Sequence, residues 1–127
     1  MNASLKLGEH YIFDLSDCSR EVLIDSERAY ELFAQAVRES GLTVVDEGFY
    51  KFSPHGFTCF LLLAESHASL HAWPEYNYCA IDLFTCAIGQ DFMPVLMRLK
   101  EAFGADDFSM RKLDREASVE TAMPIAI

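Results

Sequence analysis

The sequence predicts an α+β domain: an antiparallel β-sheet with two helices packed on one face, a two-layer sandwich whose other face or edge serves a homodimer. Three observations predict it. Segments with strand-like and helix-like hydrophobic periods follow one another in the order β-α-β-β-β-α-β. Turn residues separate them at short intervals, without repeats, linkers or low-complexity stretches, so residues 1–127 form one domain. The run Phe57 to Ala64 is apolar almost throughout, where a half-exposed strand would alternate, so both of its faces are expected to be covered. One helix layer covers a single face, and a second copy of the chain is the simplest cover for the other.

Each element follows from its residues. Gly8 to Asp17 alternates loosely and reads as a first strand. Asp25 or Ser26 can cap a helix whose apolar residues Tyr30, Phe33, Ala34 and Val37 fall at i, i+3, i+4 and i+7, with Gly41 ending it. Leu42 to Phe52, with β-branched Thr43, Val44 and Val45, is a second strand, and Pro54-His55-Gly56 turns it into the apolar third. Tyr76 to Cys86 is a further strand. Asp91 then caps a helix with Phe92, Leu96, Leu99 and Phe103 on one face, closed by Gly104. Phe108 to Leu113 adds a last strand, and the tail from Glu116 onward shows no period.

Composition excludes several classes. A 51% hydrophobic, 24% charged chain is a folded globular protein rather than a disordered one. No apolar run approaches the roughly 20 residues needed to span a bilayer. Met1 to Lys6 has no signal-like apolar region, so a cytoplasmic location without a membrane partner is expected. The net charge of −10 speaks against a nucleic-acid partner and favours approach of a cationic small molecule. The four cysteines form no C-x-x-C pair, so no metal site is expected, and Cys18, Cys59 and Cys79 read as buried thiols in a reducing compartment.

The chemistry concentrates between Glu65 and Cys86. Glu65-Ser66-His67 is followed by His71-Ala72-Trp73-Pro74-Glu75 and by Asp82-Leu83-Phe84-Thr85-Cys86. A serine after an acidic residue, with a histidine nearby, can cut its own peptide bond. The Ser66 hydroxyl attacks the Glu65 carbonyl, a base removes the Ser66 α-proton so that the ester is eliminated, and a donor holds the oxyanion. Taken singly, His71 would be a structural histidine, Ser66 a turn residue, Cys86 a buried thiol, and Phe52 and Trp73 core aromatics. His67 and His71 could be metal ligands at helical spacing, but no third ligand is evident. The set in register carries the reading. Ser66 and His71 are five residues apart and would face opposite sides of one straight strand, so the scheme needs a bend or bulge between them.

These residues resemble the ESH…HxWPE…DxFTC core of the short prokaryotic S-adenosylmethionine decarboxylases, which are pyruvoyl enzymes. Gly8-x-His10, Cys18 and Phe49-Tyr50-Lys51-Phe52-x-Pro54-x-Gly56 extend the resemblance over most of the chain. It implies autocatalytic cleavage at Glu65–Ser66 into a β chain, 1–65, and an α chain, 66–127. Ser66 would become the pyruvoyl cofactor, an electrophilic ketone that condenses with a substrate amine and accepts electrons as pyridoxal phosphate does. It also implies His71 as a catalytic residue in processing, Thr58 as processing support, Cys86 as proton donor, and Phe52 and Glu75 as substrate-binding residues for adenine and ribose. The implied activity is decarboxylation of S-adenosylmethionine to the aminopropyl donor for spermidine, in a homodimer with sites near its interface.

The chain departs from the family's usual Gly-Val-Ser-Gly at Gly56-Phe57-Thr58-Cys59, keeping a hydroxyl but adding bulk. That leaves two alternatives: a pyruvoyl-dependent decarboxylase of ornithine or arginine on the same scaffold, or a non-processing ligand-binding or regulatory homologue.

Overall fold

The computed structural model describes residues 3–118. The elements are β1 (Ser4–Ser16), α1 (Arg20–Ile24), α2 (Ser26–Glu39), β2 (Val44–Lys51), β3 (Phe57–Leu63), β4 (Ser66–Trp73), a 3₁₀ turn (Pro74–Tyr76), β5 (Tyr78–Thr85), α3 (Met93–Ala102) and β6 (Asp107–Ser118). The six strands form one antiparallel sheet in the order β2-β3-β4-β5-β1-β6. The fold is α+β.

Alternation decides what is buried. Tyr11, Phe13 and Leu15 of β1, Phe57, Cys59, Leu61 and Leu63 of β3, Ala68, Leu70 and Ala72 of β4, and Cys79, Ile81 and Leu83 of β5 share one core with the apolar residues of the helices. From α2 come Phe33, Ala34 and Val37, and from α3 come Leu96 and Leu99, at the spacing of an amphipathic stripe. The intervening strand positions point the other way. Among them Phe60 and Leu62 of β3 are 47% and 44% exposed in the single chain, and Trp73 of β4 is also exposed. The apolar run of β3 therefore puts alternate residues on the exposed side of the sheet.

Several sequence expectations need correction. The sheet has six strands, because Ser66–Trp73 is a strand, and there are three helices among the described residues, because Arg20–Ile24 forms a short one. Ser19 caps it by accepting the Val22 N–H. Asp25, not Ser26, caps α2 through Arg28 N–H at 3.3 Å. Asp91 accepts from Met93 N–H at 3.0 Å, but the N-cap position of α3 is Phe92. Strand β6 runs to Ser118, so Glu116 to Ser118 belong to the sheet, and the remainder of the tail lies outside the described residues.

The far end of β1 carries a buried charge. Glu9 is fully buried, with Oε2 3.2 Å from Lys6 Nζ and in ion-pair contact with Lys112, while Oε1 accepts the Gly89 N–H at 2.7 Å. A register shift between Lys6 and Gly8 bends β1 just before it. The Lys112 ammonium, then the Gly89 amide, hold the Glu9 carboxyl well below its usual 4.5, at about 2. A depressed carboxylate adds stability that is complete above its unfolded pKa and disappears as pH falls through the folded one. Between pH 4.5 and 2 the parent chain is therefore expected to lose stability that a Glu9→Gln chain never had. Urea unfolding across that window measures it; parallel curves for the two chains would contradict it.

Candidate functional site

The predicted residues gather in two places at opposite ends of the central strands. At the first, β3 and β4 set Thr58 directly across from His71, and Thr58 Oγ1 is in hydrogen-bond contact with His71 Nδ1. The turn before β3 approaches the strand end closely. Gly56 has φ +94°, and a β-carbon there would lie 3.2 Å from the Ala72 carbonyl oxygen, so glycine suits the position. Past Trp73, the 3₁₀ turn projects Glu75. Asn77 ends that turn in the left-handed region, and Arg20 Nε donates to Pro74 O at 3.3 Å and to Asn77 Oδ1 at 3.2 Å. Glu75 Oε2 sits 3.0 Å from His55 Nε2.

These groups line a cavity of about 310 Å³ in which Phe52, His55, His71, Trp73 and Glu75 converge. Its chemistry suits an aromatic, hydroxylated ligand: aromatic rings for stacking and a carboxylate with two acceptor oxygens. His55 was not picked out in the sequence, where a turn histidine carries no distinguishing signal.

The second place is the junction of β3 and β4. Glu65 and Ser66 sit at the hairpin, with Ser66 paired to Leu63 on β3 and to Thr85 on β5. Ser66 has φ +151°, a backbone state that side-chain-bearing residues rarely adopt. The Glu65 carbonyl accepts the Cys86 N–H at 2.9 Å, so the acyl carbon of the Glu65–Ser66 bond is polarised by a fixed donor. The Glu65 side chain accepts the Thr43 N–H at 3.0 Å, which lowers its carboxyl pKa. Cys86 is exposed, unlike Cys18, Cys59 and Cys79, and burial pushes the Cys59 thiol up to about 12. Cys86 is thus the thiol open to chemistry.

The two places are separate within one chain. Pairing of β4 runs unbroken from Ser66 to Ala72 with β3 and to Trp73 with β5, so the expected bulge between Ser66 and His71 is absent. The irregular backbone lies at Ser66 itself. Five residues at the usual strand rise put His71 about 16 Å from Ser66. Glu65, Ser66 and Cys86 form one half-site; Phe52, Thr58, His71 and Glu75 form the other.

Comparison with known proteins joins these observations. The S-adenosylmethionine decarboxylase family model matches residues 9–116. The chain is 36% identical over 118 residues to the S-adenosylmethionine decarboxylase proenzyme of Thermotoga maritima, covering 93% of this chain and 91% of that one. It is 38% identical over 111 residues to the proenzyme of the same name from Acidithiobacillus ferrooxidans, covering 86% of this chain and 82% of that one. The crystal structure of the adenosylmethionine decarboxylase from Aquifex aeolicus superposes with a TM-score of 0.81 at 28% identity, covering 94% of this chain and 98% of that one. The chain belongs to the S-adenosylmethionine decarboxylase family, a family of carboxy-lyases.

Proposed function

We propose that the chain is a proenzyme that cuts itself between Glu65 and Ser66 and then decarboxylates S-adenosylmethionine, yielding the aminopropyl donor for spermidine. The observation that carries this is the Cys86 N–H held on the Glu65 carbonyl next to the irregular Ser66 backbone. Ser66 Oγ attacks the Glu65 carbonyl carbon and its proton passes to a base, while the Cys86 amide stabilises the oxyanion. Collapse of that adduct breaks the C–N bond and leaves an ester. Removal of the Ser66 α-proton then expels the Glu65 carboxylate, and hydrolysis of the resulting dehydroalanine releases ammonia.

The residues present fit a pyruvoyl group at position 66: a hydroxyl precursor, a polarised acyl carbon and an exposed thiol within the same half-site. Such a group supplies an electron sink for the pair left behind when carbon dioxide departs. Around it the chain's own residues do the rest. Cys86 Sγ delivers the proton, Glu75 accepts hydrogen bonds from ribose hydroxyls and Phe52 stacks on adenine.

A single chain cannot bring both half-sites to one substrate, so the site is assembled in a homodimer. In the two-layer protomer the helix-free side of the sheet, with Phe60, Leu62 and Trp73 exposed, is the face a second copy covers. His71, held by Thr58, then takes the α-proton of Ser66 in the other copy.

Intact mass spectrometry tests the reading. Two chains, 1–65 and 66–127, the second with a ketone terminus reactive to hydrazines, are expected; one uncut chain would refute it. Carbon dioxide release from S-adenosylmethionine, but not from ornithine or arginine, identifies the substrate. Cys86→Ala is expected to self-cleave, since alanine retains the backbone N–H, yet to lose about 10² to 10⁴ in turnover, the usual worth of general acid catalysis. Full turnover in that variant would remove Cys86 from the mechanism.

A further inference from the structure

Glu9 is the buried ionisable acid among the described residues, and neither the cleavage chemistry nor the substrate pocket uses it. Burying a carboxylate is costly unless it is paired and hydrogen-bonded, and an apolar residue of like volume often serves stability equally well. What Glu9 holds is the loop that follows β5. The backbone amides of that loop are all committed. Cys86 N–H goes to the Glu65 carbonyl at 2.9 Å, Ala87 N–H to Thr85 Oγ1 at 2.9 Å, Ile88 N–H to the Cys86 carbonyl at 3.0 Å, and Gly89 N–H to Glu9 Oε1 at 2.7 Å. The first of these bonds lies at the scissile junction, and the last is the point where the loop is fastened to β1. Glu9 is itself immobilised, because Lys6 and Lys112 flank its other oxygen and Lys6 also reaches Asp114 at 3.0 Å.

We propose that Glu9 is a positioning residue: its clamped carboxylate fixes Gly89, and through the 86–89 loop keeps Cys86 in place with its N–H on the Glu65 carbonyl. The proposal rests on Glu65–Ser66 being the cleavage junction. The charge of Glu9 is not what reaches the junction. The fastening is, so a neutral acceptor in its place should largely suffice.

The test is built on uncut Ser66→Ala protein, so that loop order is read independently of cleavage. Amide hydrogen exchange and alkylation of Cys86 by iodoacetamide are compared for Glu9, Glu9→Gln and Glu9→Leu. Leucine fills the space without an acceptor. Its chain is expected to exchange the Cys86 and Gly89 amides about tenfold faster or more, and to alkylate Cys86 at a changed rate, with Leu61 and Leu70 unaffected. Glutamine keeps an acceptor, and its chain should stay within about threefold of the parent at both amides. With Ser66 restored, Glu9→Leu should cut itself about tenfold more slowly or worse, and Glu9→Gln should recover most of the rate.

Unchanged protection of Cys86 and Gly89 in Glu9→Leu would overturn the proposal. So would a loss spread evenly over β3 and β4, or a folded Glu9→Gln chain that behaves like Glu9→Leu. Should leucine prevent folding, methionine replaces it; a chain that folds with none of the three makes Glu9 a folding determinant and ends the positioning role. If the parent chain never cuts, the junction reading fails, while exchange on the Ser66→Ala proteins still decides what Glu9 holds.

Discussion

Ser66→Ala is expected to leave one uncut polypeptide and to take decarboxylation to the uncatalysed level, a fall on the order of 10⁶-fold or more. The reason is that one hydroxyl serves two purposes in the proposed function. It is the nucleophile for the Glu65 carbonyl, and its carbon skeleton becomes the electron sink, so no other group in the half-site can stand in for it. Alanine leaves the Cys86 N–H on the Glu65 carbonyl undisturbed, so loss of cleavage would report chemistry rather than collapse of the hairpin. Denaturing electrophoresis and intact mass read the result, and two chains or residual turnover in this variant would contradict the assignment. The backbone supplies a companion measurement. Because Ser66 stands at φ +151°, Ser66→Gly is expected to be more stable than Ser66→Ala by about 1–2 kcal/mol in urea unfolding, since only glycine occupies that region freely.

Much of this arrangement was legible in the residues. The i, i+3, i+4, i+7 stripe of α2 and the β-branched start of β2 are local signals, and both elements form where they point. Strand β4 carries a much weaker signal. Its period-two pattern, Ala68, Leu70 and Ala72 inward with His67, Ser69 and His71 outward, is present, but its small and polar residues carry little apolar contrast. Strand β6 runs past its sequence signal because Arg111 to Glu116 is almost wholly charged, as an edge strand can be, and no alternation marks its end. Glu9 was detectable in principle. It continues the inward series Tyr11, Phe13 and Leu15, so a strand reading of β1 already places a carboxylate on the core side.

The candidate site was legible residue by residue but not in its geometry. Thr58 with His71, and Phe52 with Glu75, do come together, as do Glu65, Ser66 and Cys86. That they gather at two places rather than one depends on β4 running straight between Ser66 and His71. Spacing alone gave their opposed faces, and it could not exclude a bulge that would have folded one onto the other.

Separation of the half-sites leads to the second large effect. Ser66→Ala and His71→Ala homodimers are each expected to remain without mature α chain, the first for want of a nucleophile, the second for want of the base that completes elimination. Co-expressed in equal amounts they should rescue one another. Random pairing gives roughly one quarter of each homodimer and one half of the mixed dimer, and each mixed dimer holds one complete site. About half of the chains that carry Ser66 should then mature, and intact mass identifies them by their His71→Ala substitution. The rescue has a grammar set by the strands. Thr58→Ala should complement Ser66→Ala as His71→Ala does, because Thr58 faces His71 across β3 and β4. Cys86→Ala and Ser66→Ala should not restore turnover together, because both lie in the same half-site and no pairing reunites an intact Ser66 with an intact Cys86 in one chain. If His71 acted on its own chain, no mixture would mature, and the shared site across a dimer would be lost with it. If Cys86→Ala and Ser66→Ala did complement, the proton donor would belong with the opposite half, and the Cys86 amide on the Glu65 carbonyl would be a structural bond alone.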